Sequence, residues 1–217
     1  MRSGGLALVA AVVAAGAGLL WWGTEGLSVF TAETARREAV ALAPRVLPDI
    51  TLQDEAGATI TLDALRGKVV LADFIYTRCP TICTVQGSDF EQARAAIRAA
   101  GLGDDIALVS ISFDPEHDGP EELAFYASRF GGADDIWHFA RAPSRADTGA
   151  LLRAAEVIVL PDGIGGFIHN SAIHVIDPQG RLVRILDDDA WREALVLAQA
   201  LADDTAAAAP VAGGAGT

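Results

Sequence analysis

The sequence predicts an α/β domain in which helices flank a mixed sheet, preceded by an uncharged membrane-spanning helix. Three observations carry that prediction. Two apolar runs rich in β-branched residues, positions 68–76 and 106–113, read as central strands buried on both faces. Segments of helical periodicity follow both, so strand and helix alternate as in a layered α/β sheet. Positions 4–22, GGLALVAAVVAAGAGLLWW, hold no charge.

That first stretch is nineteen residues long. At about 1.5 Å per residue it reaches roughly 28 Å, close to the hydrocarbon thickness of a bilayer. Arg2 flanks one end, and Trp21 and Trp22 stand at the other, where indoles favour the interface. The segment reads as an uncleaved signal anchor over positions 1–23, with the remainder outside the cytoplasm. The competing reading is a removed signal peptide, with Ala15-Gly16-Ala17 as a small-residue cleavage site. No cysteine lies near this segment, so a lipid-modified cysteine is not expected there.

Positions 24–44 are polar, with helical spacing over 32–43, and read as a linker. A hairpin is expected over 46–62, alternating around Gly57, then a helical turn at 63–67 and the strand 68–76. Pro80 suits the first position of a helix that reaches about Ala100, with Phe90, Ala93, Ile97 and Ala100 on one stripe. Gly101 and Gly103 end it. After the strand 106–113, Pro120-Glu121-Glu122 opens a helix through Phe130, its acids placed as the helix dipole favours. A short strand follows at 136–140, and Ser144 caps a helix over 145–155. Strands at 171–176 and 181–186 flank the turn Asp177-Pro178-Gln179-Gly180, and a last helix covers 189–202. Positions 204–217, rich in Ala and Gly, read as a disordered tail. One domain of ordinary size, 45–203, remains.

The chain of 217 residues carries a formal net charge of −13, which argues against a nucleic-acid or anionic-membrane binding surface. Its two cysteines are too few for a disulfide-stapled scaffold, so they point to chemistry. They sit in Cys79-Pro80-Thr81-Ile82-Cys83, where a strand hands over to a helix. Residues four apart on a helix share a face. A redox-type motif at the end of the first parallel strand indicates a thioredoxin-like fold, whose sites lie beyond the carboxyl ends of strands. The helix start is expected to favour thiolate, which is both nucleophile and metal ligand. The pair can hold a metal ion or close as a disulfide.

A third ligand would come from His117, His138, His169 or His174. His169 lies in the Gly-rich run Gly165-Gly166-Phe167-Ile168-His169-Asn170, expected as a loop entering a strand. His174 lies inside that strand at an odd offset and would face the other side. His138 reads as a packed or surface imidazole, and His117 as solvated in an acidic turn. A Cys2His set is soft and low in coordination number, which favours copper, Cu(I) particularly, over magnesium or calcium. A structural role for any single histidine stays open.

Three separated motifs resemble the SCO/SenC family. They are Phe74-Ile75-Tyr76-Thr77-Arg78-Cys79-Pro80-Thr81-Ile82-Cys83, Ser110-Ile111-Ser112-Phe113-Asp114-Pro115-Glu116-His117-Asp118, and His169-Asn170 ahead of Asp177-Pro178. The resemblance covers about 45–203 and implies a membrane-anchored, thioredoxin-like copper metallochaperone for cytochrome c oxidase assembly. It implies one copper ion, Cu(I) or Cu(II), on Cys79, Cys83 and His169, passed to the CuA site of the oxidase subunit. It places Asp114 beside the site, as a supporting or docking residue or merely as the Asp that opens a turn before proline. It also implies an inner-membrane, single-pass protein with its domain in the periplasm, a thioredoxin-like thiol reductant as partner, and no turnover of a small substrate. The alternative is a thiol–disulfide reductase acting on the oxidase copper-site cysteines through Cys79 and Cys83. Many relatives carry an acid immediately before the histidine, where this chain has Ile168, and an acid at the position of Thr81.

Overall fold

Residues 3–23, 32–79 and 82–208 are described by this computed structural model. Positions 24–31 of the expected linker, Pro80 at the expected helix start and positions 209–217 of the expected tail lie outside the described residues. The chain forms two units, 1–42 and 43–217.

The first unit holds α1 (Ser3–Gly23) and α2 (Ala32–Leu42). In α2, Glu33 pairs with Arg36 one turn on and accepts from Arg37 Nε at 2.8 Å. Among the described residues no helix is long and apolar enough to cross a membrane, so the expected spanning helix is not established. α1 is nevertheless continuous over 21 residues with no charged side chain, about 31 Å of rise.

The second unit is built on an eight-stranded mixed sheet. Its strands are β1 (Arg45–Val46), β2 (Thr51–Asp54), β3 (Thr59–Thr61), β4 (Val69–Ile75), β5 (Ile106–Ser112), β6 (Trp137–Arg141), β9 (Ile173–Ile176) and β10 (Arg181–Leu186), in the order β1-β10-β9-β4-β5-β6-β2-β3. The two fully apolar-patterned runs became the centre: all seven residues of β4 and of β5 are buried, paired in parallel from Val69↔Ile106 to Ile75↔Ser112. β6 continues parallel to β5, while β9 joins the other side of β4 antiparallel. The expected hairpin is β2–β3, at one edge beside β6. Its first strand is shorter than expected because Pro48, which has no N–H to give, separates β1 from β2.

The helices of this unit are α3 (Ile82–Ala100), α4 (Pro120–Ser128), α5 (Arg145–Ala154) and α6 (Trp191–Ala208). Ser144 caps α5 as expected, accepting from Asp147 N at 3.1 Å. α6 runs past the expected end at 202, since the alanines that follow are strong helix formers. The largest departure is a separate two-stranded sheet, β7 (Val159–Pro161) with β8 (Phe167–His169), where the glycine-rich sequence reads as loop.

The core between α3, α4 and the sheet is aromatic. Trp137 meets Phe139, Phe90 and Phe130 at ring separations of 4.5, 5.9 and 5.9 Å. Buried Arg94 lies over the Trp137 ring at 5.2 Å and donates to the Phe130 and Gly132 carbonyls, closing the turn after α4. Phe130 comes so near α3 that a Cβ on Gly87 would overlap its ring. Alanine normally favours a helix over glycine by up to about 1 kcal/mol, but overpacking costs about 1–3 kcal/mol. Gly87→Ala is therefore expected to lower stability in a urea titration, and Phe130→Leu added to it to recover part of the loss. A stabilised single variant would show that the ring yields freely.

Candidate metal centre

Cys79 and Cys83 lie just beyond the carboxyl end of β4, and both are buried thiols. Cys79 N bonds the Tyr76 carbonyl at 3.1 Å, and Cys83 N points at Cys79 Sγ at 3.5 Å. The chain thus folds back on itself, and the first turn of α3 brings the second sulfur to the first. Tyr126 of α4 fixes that turn from the side, its hydroxyl donating to the Cys83 carbonyl at 2.6 Å. A helix start was expected to lower thiol pKa values. The Cys83 thiol is instead held far above its ordinary range, by its hydrogen bond to Cys79 and then by burial.

His169 ends β8, so it stands on a hairpin and not on the expected open loop. Four aromatic rings tie that hairpin to the ends of β4 and β5. Phe167 meets Tyr76 at 5.2 Å and Phe113 at 5.5 Å, and His169 meets Phe113 at 5.0 Å. Asn170 secures the hairpin base, accepting from Ile158 N at 2.7 Å and donating to the Glu156 carbonyl at 3.2 Å. His169 Nδ1 faces the Ser171 hydroxyl at 3.5 Å, while Nε2 is buried with no hydrogen-bond partner among the described residues. Burial lowers the His169 pKa, against smaller upward pulls from Cys79 and Asp188. The imidazole is thus neutral and keeps a lone pair to offer. It lines a cleft of about 450 Å³ with Ile82, Phe167, Ile168, Ser171 and Asp188.

The other candidates divide clearly. Asp114 is buried, accepting from Arg78 at 2.7 Å and facing His117 Nδ1 at 2.9 Å. His117, expected in solvent, is therefore half engaged, and Arg78 is tied to the same carboxylate. His174 is buried against Phe74 with Nε2 3.0 Å from the Ala155 carbonyl, a core imidazole facing away from the thiols. His138 is half-buried in β6.

Sequence reasoning missed Asp118. It is fully buried and takes Thr77 N at 2.9 Å, Thr77 Oγ1 at 2.6 Å and Ser112 Oγ at 2.5 Å. One carboxylate thereby locks the approach to Cys79 onto the end of β5. The available signal was a third acid in a turn that already held Asp114 and Glu116, and nothing in it distinguished a buried carboxylate from a solvated one.

The structure therefore pairs the two thiols and brings His169 within electrostatic reach of Cys79. It does not close the three into one cluster: among the described residues, no three His, Cys, Asp or Glu side chains are grouped to hold a metal ion. Two soft sulfurs and an orphaned buried imidazole nitrogen fit a soft metal in donor type.

The SCO1/SenC family model matches residues 39–203. The chain belongs to the SCO1/SenC family. A curated relative, the SCO1 protein homolog of Bacillus subtilis, is 30% identical over 136 residues, covering 62% of this chain and 69% of that protein. Among solved structures, BsSco, described as a Sco-family cytochrome c oxidase assembly protein with a disulfide switch, superposes with a TM-score of 0.65 at 25% identity. That match covers 74% of this chain and 95% of BsSco. Bradyrhizobium japonicum ScoI with copper bound gives 0.62 at 25% identity, over 72% and 99% of the two chains. The thioredoxin-like α/β sheet expected from the sequence is thus the fold of this SCO1/SenC domain.

One further group of this SCO1/SenC site carries a measurable consequence. Asp73 sits mid-β4, fully buried, with no well-aligned hydrogen bond to either carboxyl oxygen among the described residues. The neighbouring Ser110 hydroxyl accepts the Trp137 indole N–H at 3.0 Å, and its effect on the Asp73 carboxyl is smaller than that of burial. Burial raises the Asp73 pKa from 3.8 to about 7, outweighing a smaller lowering by Ser110, and its charge reaches both Cys83 and Tyr126. Between those two values the unfolded chain has released this proton and the folded chain has not. Folding stability therefore falls as pH rises through that window, by on the order of 4 kcal/mol for a gap of about three units. Urea midpoints of the wild type are expected to drop from pH 5 to pH 8, with Asp73→Asn removing most of the drop. Parallel pH profiles would contradict a buried, protonated Asp73.

Proposed function

We propose that this SCO1/SenC protein is a copper metallochaperone that holds one copper ion through Cys79, Cys83 and His169 and passes it to the CuA site of cytochrome c oxidase during assembly. The observation that carries the reading is a buried imidazole Nε2 with no hydrogen-bond partner among the described residues, within electrostatic reach of Cys79, to which the Cys83 thiol is hydrogen-bonded. The copper-bound state of Bradyrhizobium japonicum ScoI supports it. Thiolates and imidazole together suit Cu(I), with Cu(II) accommodated if an oxygen ligand is added.

Copper is cargo here, and the chain's residues do three things. Cys83 surrenders a proton that its surroundings hold tightly, so loading releases protons and strengthens with rising pH. His169 arrives already deprotonated, and its cleft lets the hairpin approach the sulfurs. Burial keeps the bound ion from water until partner thiolates displace these ligands one at a time. The Arg78–Asp114 pair stands at the rim, where it supports the Cys79 loop and meets an incoming protein.

α1 serves as a single-pass anchor in the inner membrane, with the domain in the periplasm. Confinement to the membrane raises the effective concentration of a membrane-bound recipient. That compartment is oxidising, and a disulfide between Cys79 and Cys83 would abolish binding. A thioredoxin-like dithiol partner would restore the thiols by supplying two electrons and two protons. No turnover of a small substrate is assigned.

The mutual contact of the thiols also favours a second reading, a thiol–disulfide reductase of the oxidase copper-site cysteines. The two separate in one experiment. The reduced full chain in detergent is loaded with copper, the bound metal is counted, and Cys83→Ser and His169→Ala are treated alike. One equivalent in the wild type, lost in each variant, is expected. Unchanged loading in His169→Ala, or no loading in the wild type with thiol exchange intact, would favour the reductase.

A further inference from the structure

The β7–β8 hairpin has two faces of opposite character. Its register pairs Val159 with His169, Leu160 with Ile168 and Pro161 with Phe167. Alternation therefore sends Phe167 and His169 inward onto Tyr76 and Phe113, and Leu160 and Ile168 outward. The outward residues are apolar and exposed: Ile158 is 58%, Leu160 57%, Ile168 65% and Ile164, in the turn, 92% accessible. Scattered exposure of this kind is ordinary, but four large aliphatic side chains on one short hairpin form a patch.

The border of this patch is acidic. Asp162 caps the turn, accepting from Ile164 N and Gly166 N at 2.8 Å each, contacts that keep it ionised. Asp188 lines the cleft that Ile168 and His169 share, and with Asp189 it acts on Asp89. Charge decides among occupants. A second copy laid across a two-fold axis would set acid rim against acid rim. An anionic lipid surface would be repelled in the same way. A protein with an apolar centre and a Lys/Arg rim is attracted at long range and desolvates the patch on contact.

We propose that the outer face of the β7–β8 hairpin is the docking surface for a protein partner whose contact face is apolar at its centre and cationic at its rim. The proposal rests on the metallochaperone reading, because a partner seated there lies one peptide away from the ligand His169 while leaving the thiols uncovered. The partner's grip on the hairpin is then coupled mechanically to the imidazole that must let go.

The test uses the full chain in neutral-lipid nanodiscs, with the apo, reduced CuA-bearing domain of an oxidase subunit II as probe. Leu160→Ser/Ile164→Ser, both outside the His169 cleft, and Asp188→Asn are compared with wild type. At least tenfold weaker probe binding by the double variant is expected, with copper loading unchanged. Asp188→Asn should lose part of the salt dependence of wild-type binding. Equal affinity of wild type and double variant, or no binding by either, overturns the docking surface. Self-association of the wild type that the double variant abolishes overturns it too, assigning the face to a second copy. Failure of the wild type to load copper strikes the metallochaperone reading instead, and the binding comparison still decides the surface.

Discussion

Two sulfur atoms held against each other out of water are the constraint on which the site depends. The contact exists because Cys79 closes a turn on Tyr76 and Cys83 opens α3 four residues later. In that setting a thiolate at Cys83 is costly, so Cys83 keeps its proton. Cys83 gives up that proton only when something that binds sulfur more strongly arrives, such as a soft cation, or when oxidation joins the sulfurs in a neutral disulfide. A solvent-exposed pair at the same spacing would ionise more readily and would be open to any oxidant.

Groups around the pair hold its two segments in place. Asp118 binds the loop before Cys79 to the end of β5 through three hydrogen bonds. Asp114 and Arg78 form a second tie nearer the surface. On the other side the aromatic group of Tyr76, Phe113 and Phe167 holds the histidine hairpin to the same two strand ends. The parallel β4–β5 pair is thus the common foundation. The thiols rise from one strand end, the acidic loop from the other, and the imidazole rests across both.

Much of this was legible in the chain. β4 and β5 were clear because buried parallel strands read as nearly continuous apolar runs, and the cysteine pair stood out by spacing and rarity. The hairpin carrying His169 was not legible, because Gly163, Gly165 and Gly166 look like loop until the Asp162 carboxylate and the aromatic rings organise them. Local composition cannot register such long-range contacts. His174 stands on a different strand and sheet from His169, so the odd offset between them does not decide its facing; its packing against Phe74 and the Ala155 carbonyl marks it as a core imidazole. Asp118 was hidden for the opposite reason, since an acid in an acidic turn gives no sign of being buried. Asp73 did leave a sign, a lone carboxylate inside an otherwise apolar strand. Reading that strand only for its hydrophobicity passed over it.

The central claim is that this particular imidazole joins these two sulfurs around one metal ion. X-ray absorption at the copper edge, on the full chain loaded with one equivalent of Cu(I), tests it most directly. Two sulfur scatterers and one imidazole per copper are expected, with the imidazole signature gone in His169→Ala. A sulfur-only shell, or an imidazole signature that survives the substitution, would contradict the account.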